Sequence, residues 1–507
     1  MDDPQTDQPK KLAFHWLTAC IALVGFGSRL FLLITTHRTA EDFYITLRYA
    51  ENIARGAGFV YNAGQHVMGT TTPLYTLFLA LLDKLGLNAT LGGQLLNITA
   101  DAACAYFLYR LAKAAIPGKG EALGLIAAAV YAIWPPSLYW SISGMETSVV
   151  TLCGLGAFTA VVERRPYVTA AWCAALVLLR IDGLLLSGIA FAGLAYQNRL
   201  HQENERQLAL TKQIFLFAAL LAPWTLFAFI YFGSPVPTSL VAKLHVYAWQ
   251  NPGFLPNLKP FAKDMTRNGL YYILLLGVLA GIPTIWRQKA MRPALIWMMV
   301  YYAGMAFSKS FLFGWYYVPP APLYILTSIM GWSWVVGSMG RWVDGSLGGR
   351  IGAGSFPIVT GFILLAGIVL LPKQKALILA DQNQDEALLK STGVMLRDVV
   401  KPGETLMLEP IGWIGYYSRA NILDAVGLVS PEIIPYFHAG AFSPYLDIMA
   451  EIKPTYALLR TGEYSEALKA NVPAERRLLA NYDLVREVPN PAAPSSAPAF
   501  YLLKRKQ

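Results

Sequence analysis

Long apolar runs, parted by short interruptions rich in Arg, Lys, Gly or Pro, fill most of the chain. They fall at roughly 14–35, 91–114, 121–141, 146–162, 167–180, 183–198, 212–231, 269–286, 294–308, 315–338 and 355–371. Each approaches the roughly 20 apolar residues that a helix needs to cross a hydrocarbon core, so the pattern predicts about eleven transmembrane helices in residues 1–372. From Lys373 onward charge returns and the apolar runs shorten. "DEALLKSTGVMLRDVV" keeps a helical period, whereas "ETLMLEP", "TYALLR", "YDLVREV" and "AFYLLKRK" read as strands bounded by Gly, Pro or Asn. Residues 373–507 are therefore expected to form a small soluble α/β domain, with "PNPAAPSSAPA" as a loop before its last strand.

Composition sharpens this picture. The 507 residues are 55% hydrophobic and only 14% charged, with a mean hydropathy of +0.42. A soluble chain carries about a quarter charged residues, so the expected class is an α-helical polytopic membrane protein. The net charge of +10 lies in short clusters beside apolar runs, which argues for membrane topology and against nucleic acid. The first run has no small-residue cleavage site behind it and is expected to be a retained helix. The four cysteines, Cys20, Cys104, Cys153 and Cys173, stand singly in apolar runs, without disulfide or zinc spacing.

Lys10 and Lys11 place the N-terminus on the cytoplasmic side, and residues 37–90 become a first extracytoplasmic loop. The segment 71–87 is short for a span and carries Asp83 and Lys84. If it does not cross, "YRLAK", "ERRP", "QNRLHQENERQ", "RQKAMR" and "RWVDGSLGGR" all fall on the cytoplasmic side, as the positive-inside rule requires. An odd number of spans then puts the C-terminal domain outside.

That topology gathers the notable residues at the outer face: Glu41 and Asp42, Arg48, "SGMET" with Glu146, "RIDG" with Arg180 and Asp182, "GSPVPTSLVAKLH" with Lys243 and His245, and "FLFGWYY" with Trp315, Tyr316 and Tyr317. Charges near the ends of spans face protein or a wet cavity, so one polar chamber is expected. The stretch after the acidic pair has a helical period, with Phe43, Leu47, Ala50 and Ala54 on one stripe and Tyr44, Arg48, Glu51, Asn52 and Arg55 on the other. A helix lying on the membrane surface follows. Thr39-x-x-Asp42 also fits a capping box, and a cap and a catalytic acid can coexist at one helix start.

Sugar transfer needs a base within reach of the acceptor hydroxyl and cations for a phosphate leaving group. Asp42 beside Glu41 could supply the first; Arg48, Arg180 and Lys243 the second, although lone interfacial cations also snorkel. Glu146, Asp182, Tyr316 and Tyr317 would shape the sugar sites. His66 and His245 could join Asp42 around a divalent cation, but no metal-ligand motif is present and no cofactor is firmly implied.

The segment "EDFYITLRYAENIARGAGFVYNAGQHVMGTTTPLY", followed in order by "SGMETS", "LLRIDGLLL", "GSPVPTSLVAKL", "GWYYVPPAPLY" and "ILDAVGLVSPEI", resembles the GT-C superfamily of integral-membrane glycosyltransferases. Within it the likeness is greatest to the bacterial group that includes the mycobacterial terminal arabinofuranosyltransferases. The resemblance implies an inverting transfer of a sugar, such as a pentofuranose like arabinose, from a polyprenyl-phosphate donor to a glycan or lipid of the cell envelope. It implies that Asp42 is the base, that Tyr49, Asn62 and Thr71 of the first loop belong to the binding site, and that the protein works in the cytoplasmic membrane. The group's acidic pair is usually Asp-Asp; here it is Glu41-Asp42, and Gln65 and Met68 stand where acids are commoner. A transporter of polyprenyl lipid or polysaccharide is the alternative, disfavoured by spans poor in midplane charge apart from Asp101 and by the lack of paired halves. A non-enzymatic glycan-binding scaffold is the third.

Overall fold

The computed structural model describes residues 4–200, 205–247, 257, 270–308, 312–343, 356–438, 444–469, 481–490 and 498–506. The apolar runs are helical over most of their length. They form α1 (Pro4–Thr36), α4 (Ala89–Ala115), α5 and α6 (Gly120–Ala132 and Pro135–Ser141), α7 (Thr147–Val162), α8 (Pro166–Leu179), α9 (Gly183–Leu200), α10 (Glu205–Phe232), α12 (Leu270–Arg287), α13 (Arg292–Ala306), α14 (Ala321–Val343) and α15 (Phe356–Val399). Between the first two lie α2 (Glu41–Ala54) and α3 (Pro73–Lys84), and α11 (Thr238–Ala242) follows α10.

Length and composition do not confirm all eleven expected crossings. Three segments among the described residues are long and apolar enough to cross a membrane, Phe14–Thr36, Leu210–Phe232 and Pro357–Val399; α5 with α6, bent by 58°, would make a fourth. For the shorter helices the reason is length: the 16 residues of α7 and the 14 of α8 rise about 24 and 21 Å, short of a core about 30 Å thick, whereas α4 and α14, with 27 and 23 residues, are long enough but are not among the apolar candidates. The same arithmetic gives α3, with 12 residues, about 18 Å.

Helices α1, α4, α5 and α6 share a buried charge. Arg29 and Asp101 form an ion pair with both side chains fully buried. Arg29 also donates to Gly25 O (2.9 Å) and Ala132 O (2.8 Å), while Tyr131 and Ser137 donate to Asp101 at 2.7 and 2.6 Å. Their bonds converge where the chain breaks between α5 and α6, and Pro135 at the start of α6 suits that break. Helices α12 and α14 touch backbone to backbone. A Cβ at Gly331 would strike the Gly277 carbonyl, and one at Gly281 the Thr327 carbonyl, the small-residue contact that draws membrane helices together.

Helix α2 begins after a tight bend in which His37 has a φ of 51°. Its N-cap is Ala40, so the capping box expected from Thr39 does not form. The Thr39 hydroxyl instead reaches Glu386 at 3.3 Å. Phe43 through Ala50 are all buried, on both stripes of the helix. The expected surface helix is in fact enclosed, because the C-terminal part of the chain covers its polar side.

That covering starts with α15, 44 residues long and continuous through Lys373. It leads to β1 (Thr405–Leu408), α16 (Trp413–Ser418), β2 (Asn421–Asp424), α17 (Pro444–Glu451), β3 (Tyr456–Arg460), α18 (Thr461–Lys469), β4 (Tyr482–Val488) and β5 (Phe500–Arg505). The four strands read from the sequence are present; β2, within "ANILDAV", is an addition. The loop expected at "PNPAAPSSAPA" falls largely outside the described residues. The sheet order is β2-β1-β3-β5-β4, with β1 parallel to β2 and β3, and β5 antiparallel to β3 and β4. Strand β1, flanked by β2 and β3, is buried on both faces, as parallel strands are. Leu406 and Leu408 belong to the apolar core continuous with the membrane helices, and Met407 points to a second core under α17.

Candidate active site between the helices and the sheet

Several contacts fasten α2 to the C-terminal domain, an ion pair between Glu51 and Arg419 at 3.1 Å among them. Arg48 is buried, and its guanidinium donates to Tyr61 O (2.9 Å), Gly415 O (2.6 Å), Ala420 O (2.7 Å) and Asn62 Oδ1 (3.3 Å). Asn62 then holds β2 through both the N–H and the carbonyl of Ile422. Tyr44 packs its ring against Trp413, Tyr416 and Tyr417. At the start of the helix the Gly412 N–H donates to the Glu41 carboxyl. A Cβ on Gly412 would collide with the Glu41 backbone oxygen and carboxyl, so this approach needs glycine.

Two cavities meet at the N-terminus of α2. The larger, about 590 Å³, lies between the helices and the sheet; it is lined by Arg38, Glu41, Asp42, Tyr139, Trp140, Trp315, Asp381, Glu386, Glu409, Trp413, Asp424 and Arg460, among others. The smaller, about 70 Å³, is lined by Asp42, Thr70, Thr71, Thr72, Glu146, Arg180, Ser239, Lys243, Trp315 and Tyr316. Asp42, Ile45, Trp315 and Leu428 line both. In the smaller one Arg180 stands 3.8 Å from Glu146, 2.9 Å from Asp182 and 4.6 Å from the centre of the Tyr316 ring. Burial lowers the affinity of the Lys243 ammonium for its proton, but Tyr316 and then Asp42 outweigh it and carry the pKa above the ordinary lysine value.

The acidic pair is asymmetric. Burial, then the charge of Asp42 and a hydrogen bond with it, push Glu41 well above the usual carboxylate range, against the opposing pull of the Gly412 N–H. A Glu41 that keeps its proton leaves the pair with at most one negative charge. Burial likewise pushes Asp424 up to about 7, although the Val426 and Val429 N–H groups donate to it.

Of the residues singled out in the sequence, Glu41, Asp42, Thr71, Glu146, Arg180, Lys243, Trp315 and Tyr316 come together around these cavities. Others go elsewhere. Arg48 and Asn62 bind backbone at the domain junction, and the Tyr49 hydroxyl donates to Val67 O and accepts from Gly69 N. Asp182 pairs with Arg180 but lines a separate apolar crevice of about 20 Å³. Tyr317 donates to Asn257 O at 2.9 Å. Exposed His245 shares a contact with Val241 O, and His66 stacks on Tyr231. Among the described residues no three His, Cys, Asp or Glu side chains gather as a metal site. Arg38, Asp381, Glu386, Glu409, Asp424 and Arg460 were missed. Only Arg38, four residues before Asp42, carried a local signal; the rest reach the cavity by folding across more than 300 residues of sequence.

Three solved structures carry the same architecture. ArnT from Cupriavidus metallidurans, bound to undecaprenyl phosphate, matches with a TM-score of 0.56 and 12% identity over 96% of this chain and 97% of its own. The archaeal oligosaccharyltransferase AglB from Archaeoglobus fulgidus, in complex with an inhibitory peptide and a dolichol-phosphate, gives 0.56 and 11% over 93% of this chain and 72% of its own. Arabinofuranosyltransferase AftD from Mycobacteria gives 0.52 and 15% over 97% of this chain, which spans 40% of that protein. The chain shares the fold of these three structures. At these identities the likeness is one of architecture. A family described as a domain of unknown function (DUF8728) matches residues 377–502, the sheet domain and the second half of α15. No curated protein matches the sequence.

Proposed function

We propose that this chain is an inverting glycosyltransferase of the GT-C type that moves a sugar, a pentofuranose such as arabinose being the first candidate, from a polyprenyl-phosphate donor to a cell-envelope glycan or lipid. One observation carries the reading: a single carboxylate, Asp42, lines both a small cavity holding Arg180 and Lys243 and a larger, aromatic-walled one. The donor phosphate sits with the two cations, the acceptor hydroxyl enters from the larger side, and Asp42 takes the hydroxyl proton as the new bond forms at the anomeric carbon. The bond from that carbon to the phosphate oxygen breaks with its electron pair, and Arg180 and Lys243 neutralise the charge that develops there. Neutral Glu41 holds Asp42 in place and keeps a second negative charge away from the leaving phosphate. Neighbours solved with undecaprenyl phosphate and dolichol-phosphate support such a donor, and the protein is placed by this reading at the outer face of the cytoplasmic membrane.

The test is to offer a panel of polyprenyl-phosphoryl sugars to the purified protein in detergent and measure released polyprenyl phosphate. Wild type should turn over at least one donor, and Asp42→Asn should fold normally and lose about 10²–10⁴ of the rate. Full activity in Asp42→Asn would remove Asp42 from the chemistry.

A further inference from the structure

The two cavities that share Asp42 differ in electrostatic character. The small one presents Arg180 and Lys243. In the large one Asp381, Glu386 and Glu409 join Asp42, beside a protonated Glu41 and an Asp424 pushed up to about 7, against Arg38 and Arg460, with Lys390 paired to Glu386. Both cations are held by groups of the same cleft, so each offsets one of these acids. Arg38 lies 3.6 Å over the Tyr139 ring, whose hydroxyl donates to Asp381, and Arg460 stands 3.6 Å from Glu409. Between the acids the walls are the rings of Tyr139, Trp140, Trp315 and Trp413.

From this chemistry we infer that the large cleft takes a carbohydrate acceptor free of phosphate or other anionic groups, uncharged or amine-bearing, and rejects phosphorylated ones. Hydroxyl groups donate to ionised carboxylates in strong, short bonds, an ammonium gains from the acids and rings together, and an added phosphate meets like charge, which is how sites exclude wrong partners. A cleft of about 590 Å³ falls within the ~300–1,000 Å³ of small-molecule sites and holds more than one sugar ring. The word acceptor rests on the transfer reading; the selectivity does not.

The experiment uses the full chain in detergent and three trisaccharides of different linkage, each in neutral, 6-amino and 6-phosphate form. Binding is followed by tryptophan fluorescence, and donor turnover is measured in parallel. At least one trisaccharide should bind in its neutral and amino forms ten-fold or more tighter than in its phosphate form. The double variant Asp381→Asn/Glu409→Gln should shrink that gap to three-fold or less. Phosphate forms that bind equally or better, an unchanged gap in the double variant, or no binding by any probe would overturn the inference. Intact selectivity without turnover of any donor would instead sink the transferase reading and leave a sugar-binding cleft.

Discussion

Replacing Arg48 by methionine keeps most of the apolar stem and removes a guanidinium that joins the first loop to the sheet domain. Three of its four bonds are short, to Gly415 O at 2.6 Å, Ala420 O at 2.7 Å and Tyr61 O at 2.9 Å. Hydrogen bonds from a charged donor contribute about 1.5–3 kcal/mol each, which would sum to roughly 4–9 kcal/mol. Such terms are not additive within one network, and removing a buried charge also relieves its desolvation. We expect a net local loss of about 3–5 kcal/mol. A chain with two structural parts need not unfold in one step, so the assay is amide hydrogen exchange over residues 411–424. At 1.36 kcal/mol per decade, exchange there should quicken about 10²- to 10⁴-fold, while helices α4 and α7 keep wild-type protection. The sequence alone placed Arg48 beside the donor phosphate. Unchanged exchange at 411–424, with the KM for donor raised, would restore that role and refute the clamp.

Gly412→Ala should leave the membrane helices intact yet cost at least ten-fold in kcat, because the new methyl displaces Glu41; donor turnover beside a thermal melt checks both halves. Glu41→Gln should keep much of the activity and alter the pH dependence of stability. Wild-type Glu41 binds its proton more tightly folded than unfolded, so as pH rises above about 4.3 the unfolded chain releases a proton that the fold retains, and stability falls. Thermal melts from pH 4 to 8 should show that decline lessened in the glutamine variant; identical slopes would count against a neutral Glu41. Asp101→Asn strands the buried Arg29 charge and should destabilise by about 3–5 kcal/mol. The pair Arg29→Met/Asp101→Leu should recover most of that loss in melts of the detergent-solubilised protein.

The helices were legible because burial among other helices and exposure to lipid both demand apolar residues. For the same reason their number could be read and their crossings could not: the 14 residues of α8 are as apolar as a span without being as long. In the sheet domain β1, β3, β4 and β5 showed as short apolar runs between breakers. Strand β2 did not, because Asn421–Asp424 has polar ends and leaves only Ile422 and Leu423 as an apolar run, with the Ile422 and Asp424 N–H groups bonded to the Asn62 and Ser430 side chains. At the site, Asp42, Glu146, Arg180 and Lys243 could be gathered from topology alone, Glu146 and Arg180 standing at the ends of apolar runs and Asp42 and Lys243 in the outer segments that follow them. A buried cation, however, looks the same in sequence whether it meets a phosphate or a ring of carbonyls, and so Arg48 was misplaced. The far wall of the cleft, Glu409 to Trp413, carries no local signature because its partner Glu41 lies 371 residues away.

Helix α15 links the bilayer to the sheet domain as one rod of 44 residues, about 66 Å from end to end. Such a rod fixes both the altitude and the compass bearing of what it carries, since every residue adds about 1.5 Å and a turn of roughly 100°. Two residues inserted after Leu377 would lift the sheet by only about 3 Å yet swing it more than half a revolution, carrying Gly412 away from Glu41. Four residues would raise it about 6 Å and bring it nearly back to its heading, so the spacing of this one helix, with no change to any cavity side chain, can dismantle or rebuild the site.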